Sequence, residues 1–156
     1  MPVRSAGLLP YRVVAGEGLD VFLVHPGGPL WARRDDHAWS VAKGEYDESE
    51  DASVAAEREF TEEVGVTPPV GSRLDLGEIK QSSGKLVRVW AIEAGQFEVD
   101  EVVSNEFELE WPPKSGRRRR FPEVDRAEWM SAETARRRLV KGQIAFVDRL
   151  AQRIEG

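Results

Sequence analysis

The chain of 156 residues fits a single domain, and with 40% hydrophobic residues it can bury a core of its own. It contains no cysteine, which excludes disulfides, thiolate metal sites and a cysteine nucleophile, and which agrees with a reducing cytoplasm. A net charge of −6 argues against bulk binding of nucleic acid, and no apolar run approaches the length of a membrane span. We therefore expect a cytoplasmic protein whose partners include neither a membrane nor a nucleic acid.

The first half of the chain predicts two strands, a loop and a helix. Residues 6–14 and 21–24 have strand character and are separated by turn-forming residues, and a loop rich in glycine and proline follows at 25–29. The first helix should begin near Ser49 or Asp51, because both can act as N-caps. It should end at Gly65, since glycine readily adopts the left-handed conformation that terminates helices.

The second half predicts three strands followed by two helices. The strands are expected at residues 74–79, 86–92 and 107–111, and a loop that includes Arg117–Arg120 and Glu123 is expected after them. Ser131 can cap a second helix that runs to Val140, and a third should start near Gly142. Its apolar stripe consists of Phe146, Val147, Leu150 and Ile154. This order indicates one mixed α/β domain over residues 1–156.

Three glutamates, Glu59, Glu62 and Glu63, stand at the C-terminal end of the first helix, where negative charge is unfavourable. At 100° per residue, Glu59 and Glu63 project toward the apolar side of the helix, with Glu62 beside them. The only base between residues 51 and 66 is Arg58. A divalent cation such as Mg²⁺ would relieve this crowding, because it takes carboxylate oxygens and often substrate phosphates as ligands. A solvated acidic face is the alternative.

The residues around these glutamates resemble the Nudix box. The pattern is Gly44, five residues, Glu50, seven residues, Arg58-Glu59-Phe60, one residue, Glu62-Glu63, one residue and Gly65-Val66. Further segments are similar to a bacterial subgroup of Nudix pyrophosphohydrolases near the diadenosine polyphosphate hydrolases; they lie at residues 4–7, 25–29, 39–45, 110–113 and 121–126. Ala42 departs from the proline that is usual in relatives. The resemblance implies the Nudix fold, an α/β/α arrangement with a mixed sheet between helices and the box at residues 44–66.

The resemblance also implies roles for the residues of the box. Glu62 and Glu63 would be metal ligands, together with the backbone carbonyl of Gly44 or Lys43. Glu59 would be either a further ligand or the base that activates water. Gly44 would permit a tight turn. Arg58 is expected to pair with Glu50 and to hold the helix and the loop in register, so that catalysis depends on both.

Outside the box, Glu123 is a candidate metal ligand, because several Nudix relatives carry a metal-binding glutamate six residues before a tryptophan, and Trp129 stands at that spacing. A surface acid in a polar loop is the alternative interpretation. Asp125 and Glu106 are the competing candidates. His25 is expected to form loop hydrogen bonds rather than to take part in catalysis.

Candidate substrate-binding residues are basic or aromatic. Lys43, Lys85 and Arg4 could contact phosphates, as could the run Arg117–Arg120, although loop arginines are commonly just solvated. Trp31 could stack on a base, as could Trp111 or Phe121, but lone aromatic residues usually belong to the core.

The resemblance implies a hydrolase that cleaves a diphosphate bond in a substrate linked to a nucleoside diphosphate, with Mg²⁺ as cofactor and Mn²⁺ as a substitute. The favoured substrates are small molecules, namely dinucleoside polyphosphates of the diadenosine tetraphosphate type or nucleoside triphosphates. The alternatives are a sugar-nucleotide or capped-RNA pyrophosphatase and a module that binds nucleotides or RNA without cleaving them. The intact glutamates argue against the last. Whether the protein is a monomer or a homodimer stays open.

Overall fold

In a computed structural model of the chain, which describes residues 2–16 and 18–155, the chain forms eight strands and three α-helices. In chain order they are β1 (Arg4–Val14), β2 (Gly18–Pro26), β3 (Ala42–Tyr46), α1 (Ala52–Val64), β4 (Arg73–Lys80), β5 (Leu86–Glu93), β6 (Glu106–Glu110), β7 (Arg118–Pro122), β8 (Val124–Ser131), α2 (Ala132–Arg138) and α3 (Ile144–Glu155). A short 3₁₀ turn at Lys141–Gln143 precedes α3.

The central sheet is mixed and is organised by the long strand β1. One edge of β1 pairs in parallel with β5, which in turn pairs antiparallel with β4. The other edge has two successive antiparallel partners, since β3 pairs with the first half of β1 and β2 pairs with the second half. β8 completes the sheet beside β2. The division of β1 between two partners leaves β3, which carries Gly44, beside the first half of β1 and in contact with α1.

Helices cover both faces of this sheet. Successive residues of β1 point to opposite faces, so that Leu8 packs with Phe60 of α1 while Leu9 packs with Phe146 of α3. Ala135 of α2 belongs to the same layer as α3. The arrangement is the α/β/α sandwich with a mixed sheet that the resemblance implied, and this prediction is confirmed.

The first helix begins and ends at the predicted residues. The carboxylate of Asp51 accepts a hydrogen bond from the backbone N–H of Ser53, which makes Asp51 the N-cap. Gly65 ends the helix in the left-handed conformation, at φ 90°, and its N–H donates to the carbonyl of Thr61. Because both ends of α1 are fixed in this way, the glutamates in its last turn have a defined position relative to the sheet.

Three strands were not predicted from the sequence. β3 lies where a polar connection was expected, and β7 and β8 replace the expected loop around the arginines and Glu123. The prediction of a loop there is wrong, because β7 pairs along its length with β6, and β8 pairs with β2. Ser131 does cap α2, but the helix ends at Arg138, two residues before the predicted end.

Strands β6 and β7 form a hairpin outside the central sheet. It is docked on the loop after β2 at two glycines. A Cβ at Gly27 would overlap the carbonyl oxygen of Pro122, and a Cβ at Gly28 would lie 2.8 Å from the ring of Phe107. Both glycines therefore serve close approach of the hairpin.

No helix in the described part of the chain is both long enough and apolar enough to span a bilayer.

Candidate active site

Gly44 and Glu59 form the base of the site. Gly44 lies within β3, opposite Ala6 of β1, and a Cβ at this position would overlap the carboxylate of Glu59. The prediction that Gly44 permits a tight turn is therefore wrong. The residue is glycine because the Glu59 carboxylate packs directly on the strand, with only 13% of its side chain exposed.

Arg58 binds three carboxylates. Its Nε and Nη2 each lie 2.8 Å from an oxygen of Glu50, which confirms the predicted pair. Its Nη1 lies 2.8 Å from Glu59 Oε1 and 3.3 Å from both carboxylate oxygens of Glu62. The bonds to Glu50, followed by those to Glu59, raise the pKa of Arg58. The one base of this segment thus pairs with two of the three helix acids, Glu59 and Glu62.

Glu63 points into a different environment from Glu62. Its Oε1 accepts a hydrogen bond from the backbone N–H of Lys43, with the two atoms 3.0 Å apart. Burial raises the pKa of Glu63 to about 8; the charges of Glu59 and Glu123 add to the rise, and Lys43 opposes it. Burial likewise raises the pKa of Glu59, against the effect of Arg58. The side near β3 thus holds two desolvated carboxylates.

Beside these carboxylates lies a cavity of about 300 Å³, which we call the box cavity. Its charged lining consists of Lys43, Glu63 and Glu123, and Trp31 forms part of the wall. Burial lowers the pKa of Lys43, an effect that Glu63 offsets. The remaining lining residues are Val24, Pro26, Ala38, Ser40, Gln81, Val124, Val140 and Gln143.

One end of the box cavity carries a polar network that sequence reasoning missed. The buried Gln143 accepts from the backbone N–H of Val41 at 2.9 Å and donates to Ser40 Oγ at 3.1 Å and to Gln81 Oε1 at 3.4 Å. The burial of Gln143 could have been predicted, because Gln143 precedes Phe146 and Val147 by three and four residues and so continues the apolar stripe of α3. No comparable signal marks Gln81.

Glu123 is joined by its backbone to two other segments. Its N–H donates to the carbonyl of Asn105, and its carbonyl accepts from the N–H of Gly27. Its exposed side chain lines the box cavity together with Glu63. The structure thus brings this predicted residue to the helix acids. The competitors lie elsewhere: Glu106 pairs with Arg120 at 3.9 Å, and Asp125 binds His25.

His25 is fully buried and forms hydrogen bonds, as predicted, although it lies in β2 and not in a loop. Its Nε2 donates to the carbonyl of Arg34 at 2.6 Å, and its Nδ1 lies 2.8 Å from Asp125 Oδ1. This contact ties the end of β2 to the start of β8, close to Glu123.

The other candidate phosphate contacts are less central. Lys85 Nζ lies 3.7 Å from Glu45 Oε2, on the strand that carries Gly44, and its charge acts on Lys43. Arg4 pairs with Glu78 at 3.1 Å, so the structure does not place it in the lining of the box cavity.

Within residues 2–16 and 18–155, no three acidic or histidine side chains stand together in an arrangement that would hold a metal ion. Arg58 forms ion pairs with Glu59 and Glu62, while Glu63 accepts a hydrogen bond from the backbone N–H of Lys43. The donor chemistry nevertheless fits a hard divalent cation, since every candidate donor near the cavity is a carboxylate or carbonyl oxygen. The raised pKa values of Glu59 and Glu63 show two carboxylates without full compensation for their lost hydration.

Residues 12–150 match the family model described as the NUDIX domain. An RNA pyrophosphohydrolase of Caulobacter vibrioides (strain NA1000 / CB15N) is 48% identical over 52 residues, which are 30% of this chain and 30% of that protein. An RNA pyrophosphohydrolase of Rhodospirillum rubrum is 40% identical over 67 residues, 41% of this chain and 38% of that protein. The chain thus matches well under half of the length of these relatives.

Solved structures with low sequence identity share the fold. A binary complex of an Ap4A hydrolase of C. elegans is 20% identical, with a TM-score of 0.66, and the match covers 97% of this chain and 98% of that one. The NUDIX domain of NrtR of Shewanella oneidensis, complexed with ADP ribose, is 13% identical, with a TM-score of 0.67 and coverage of 99% and 89%.

Proposed function

Because the chain belongs to the NUDIX family, we propose that it is a hydrolase that depends on a divalent metal and cleaves a diphosphate bond in a substrate linked to a nucleoside diphosphate. The favoured substrates are dinucleoside polyphosphates and nucleoside triphosphates, and Mg²⁺ is the favoured metal, with Mn²⁺ as a substitute. The activity is assigned to the cytoplasm, the compartment that the composition led us to expect.

One observation carries this proposal: Glu63 and Glu123 line the box cavity, and Glu59 lies close enough that, after burial, the charges of Glu59 and Glu123 raise the pKa of Glu63. Two of them are desolvated; the cation that opposes the raised pKa is Arg58 for Glu59 and Lys43 for Glu63. Carboxylates that lie close together without full compensation do not stabilise a protein. They are, however, the groups that a site needs in order to hold a cation, which in turn binds a polyphosphate.

The ligands would be Glu59, Glu62, Glu63 and Glu123 with the carbonyl of Gly44. A divalent cation held there would neutralise phosphate charge and lower the pKa of a bound water. The chain's own groups supply positioning: Glu59 is held between Gly44 and Arg58, where a carboxylate could accept a proton from water. Lys43 would bind a phosphate and Trp31 would stack on a base, since both line the box cavity.

Arg58 and Glu50 act through position. Their paired hydrogen bonds tie the loop before α1 to the middle of the helix. The loss of this pair would shift Glu59 and Glu62, to which the same guanidinium is bonded.

A second candidate is hydrolysis at the 5′ end of RNA, which the names of the curated relatives favour. A net charge of −6 gives the chain little general attraction for an RNA body, so this activity would be confined to the triphosphate end.

The test is chromatographic detection of the hydrolysis products, including mononucleotides, pyrophosphate and phosphate, from a panel of substrates with Mg²⁺, with and without a chelator. The panel contains dinucleoside tetraphosphates, nucleoside triphosphates, ADP-ribose as a sugar nucleotide, and RNA with a 5′-triphosphate. We expect turnover of the first two classes, abolished by the chelator. Turnover restricted to RNA would establish the second candidate, and binding without turnover of any compound would indicate a non-catalytic module.

A further inference from the structure

A second cavity, which we call the hairpin cavity, lies between the loop after β2 and the β6–β7 hairpin and has a volume of about 190 Å³. Its lining is largely apolar and includes Leu30, Trp31, Phe107 and Leu109. This volume is below the ~300–1,000 Å³ usual for a whole small-molecule ligand. The hairpin cavity is therefore the size of a site for one part of a ligand.

The hairpin cavity adjoins the box cavity. The two have Pro26, Trp31 and Glu123 in common, so these residues form the partition between them. Glu123 is the only charged residue in that partition among the described residues. A ligand that extends from one cavity to the other would thus pass beside the acidic group assigned to the cleavage site.

The register of the hairpin decides which arginine faces this cavity. In an antiparallel pair, directly opposed residues share a face. Leu109 is opposite Arg119, and Phe107 is opposite Phe121, so Arg119 shares the face of the two cavity-lining residues. Its guanidinium lies 5.6 Å from the centre of the Phe121 ring.

The neighbouring arginines of β7 are on the other face and are paired there. Arg118 Nε lies 2.8 Å from Glu108 Oε1, and Arg120 Nε lies 3.9 Å from Glu106 Oε1. In the described part of the chain, Arg119 has no such carboxylate partner. The pleat therefore divides the arginines of β7 into two that are paired on one face and Arg119, which lies on the face of the cavity-lining Phe107 and Leu109.

We propose that the hairpin cavity binds the second nucleoside of a substrate whose polyphosphate joins two nucleosides, with its base against Phe107 and with Arg119, from the same face of the hairpin, over the base or its phosphate. This inference rests on the proposed function, because it places the first nucleoside in the box cavity. Planar bases stack on aromatic rings, and an arginine can stack on a base or pair with a phosphate. A nucleoside triphosphate or a sugar nucleotide has no second base to fill this site.

An RNA end fits the two cavities less well. In a dinucleoside polyphosphate the phosphates lie between the two nucleosides, as Glu123 lies between the two cavities. In a 5′-triphosphorylated RNA the first two nucleosides lie on the same side of the triphosphate. The central position of the acid therefore favours the bridged compound.

The test compares the binding of two non-hydrolysable methylene-bridged analogues, one of diadenosine tetraphosphate and one of adenosine 5′-tetraphosphate, by titration calorimetry with Mg²⁺. Both carry four phosphates, and only the first has a second nucleoside. We expect the wild type to bind the two-nucleoside analogue at least about 10-fold more tightly, as one stacked base would provide. R119S and F107A should each reduce that preference by about three-fold or more and leave the affinity for the one-nucleoside analogue within about two-fold.

R120S is the matched control, because it removes one positive charge from the adjacent residue on the opposite face, and the preference should survive it. Equal affinity for both analogues in the wild type, or an unchanged preference in both R119S and F107A, would overturn the proposal. So would a dependence on Arg119 and Phe107 that appears only with a 5′-triphosphorylated dinucleotide. Detection of the hydrolysis products tests the proposed function separately: hydrolysis without the preference rejects the second site alone, and the preference without hydrolysis rejects the proposed function alone.

Discussion

The carboxylate of Glu59 occupies the space that a side chain at Gly44 would fill. At this point the carboxylate of Glu59, on helix α1, contacts the backbone of strand β3 directly. The position of the acid is thus determined by the absence of a side chain at residue 44.

Replacement of Gly44 by alanine should displace Glu59 and reduce turnover by at least about 10-fold, because a catalytic group must be held within a fraction of an ångström. Gly44 lies in a paired strand, so the backbone itself should tolerate alanine. Steady-state kinetics and thermal melting of G44A check this. The matched control is G95A, since a Cβ at Gly95 would meet nothing within 4 Å. Wild-type turnover in G44A would show that the position of Glu59 is unimportant.

Replacement of Arg58 by methionine should lower the free energy of unfolding by about 1–2 kcal/mol and should also lower turnover. The reason is that one guanidinium holds both the loop acid Glu50 and the helix acid Glu59. A double-mutant cycle with E50Q measures the part that belongs to the pair. R73M removes another ion pair of α1, to the half-exposed Glu57, and should cost less than about 1 kcal/mol. Equal costs for R58M and R73M would contradict a special role for Arg58.

The stability of the metal-free protein should depend on the charge of Glu63. Its pKa rises from 4.5 to about 8 on folding, so the folded state binds more protons than the unfolded state between these values. Stability is therefore lost as the pH rises through this window. E63Q should gain stability relative to the wild type over the same range, by about 1–3 kcal/mol at pH 8.

Chemical denaturation at several pH values in the presence of a chelator measures this difference. E48Q, which removes one negative charge from an exposed side chain, is the control for the change in net charge. Parallel stability curves for E63Q and the wild type would mean that Glu63 is charged in the folded protein at neutral pH.

Replacement of Glu123 and Asp125 by the corresponding amides should affect different properties, namely turnover for Glu123 and stability for Asp125. E123Q should lower turnover by about 10- to 1,000-fold with little change in melting temperature, because the side chain is exposed and only its backbone supports the fold. D125N should mainly lower stability, because Asp125 is the partner of the buried His25. E106Q should be nearly silent. The assignment fails if E123Q is nearly silent while E106Q or D125N abolishes turnover in a folded protein.

Local signals in the sequence were sufficient to predict the ends of α1 and the side of the helix on which its glutamates lie. The N-cap at Asp51, the left-handed Gly65 and the apolar side at Phe60 all follow from residues within one helix. The resemblance to the Nudix box added roles to these residues, and the family model and the structural comparisons confirm the family and the fold.

Interactions between distant segments were not predictable in this way. Four consecutive arginines have the composition of a loop, yet Arg118 and Arg120 lie in a strand because β6 supplies Glu108 and Glu106 across the pair. Similarly, nothing near Gly44 in the sequence shows that Glu59 packs on it. Those contacts join residues that are adjacent only after the chain has folded.

The most direct test of the central claim is the Mg²⁺ dependence of dinucleoside tetraphosphate hydrolysis by the wild type and by E63Q, measured side by side. The account predicts that wild-type turnover appears with Mg²⁺ and disappears with a chelator, and that E63Q loses at least about 100-fold of it while remaining folded. Turnover of E63Q within about two-fold of the wild type, or wild-type turnover that persists in the chelator, would contradict the assignment of a metal-dependent hydrolase to these carboxylates.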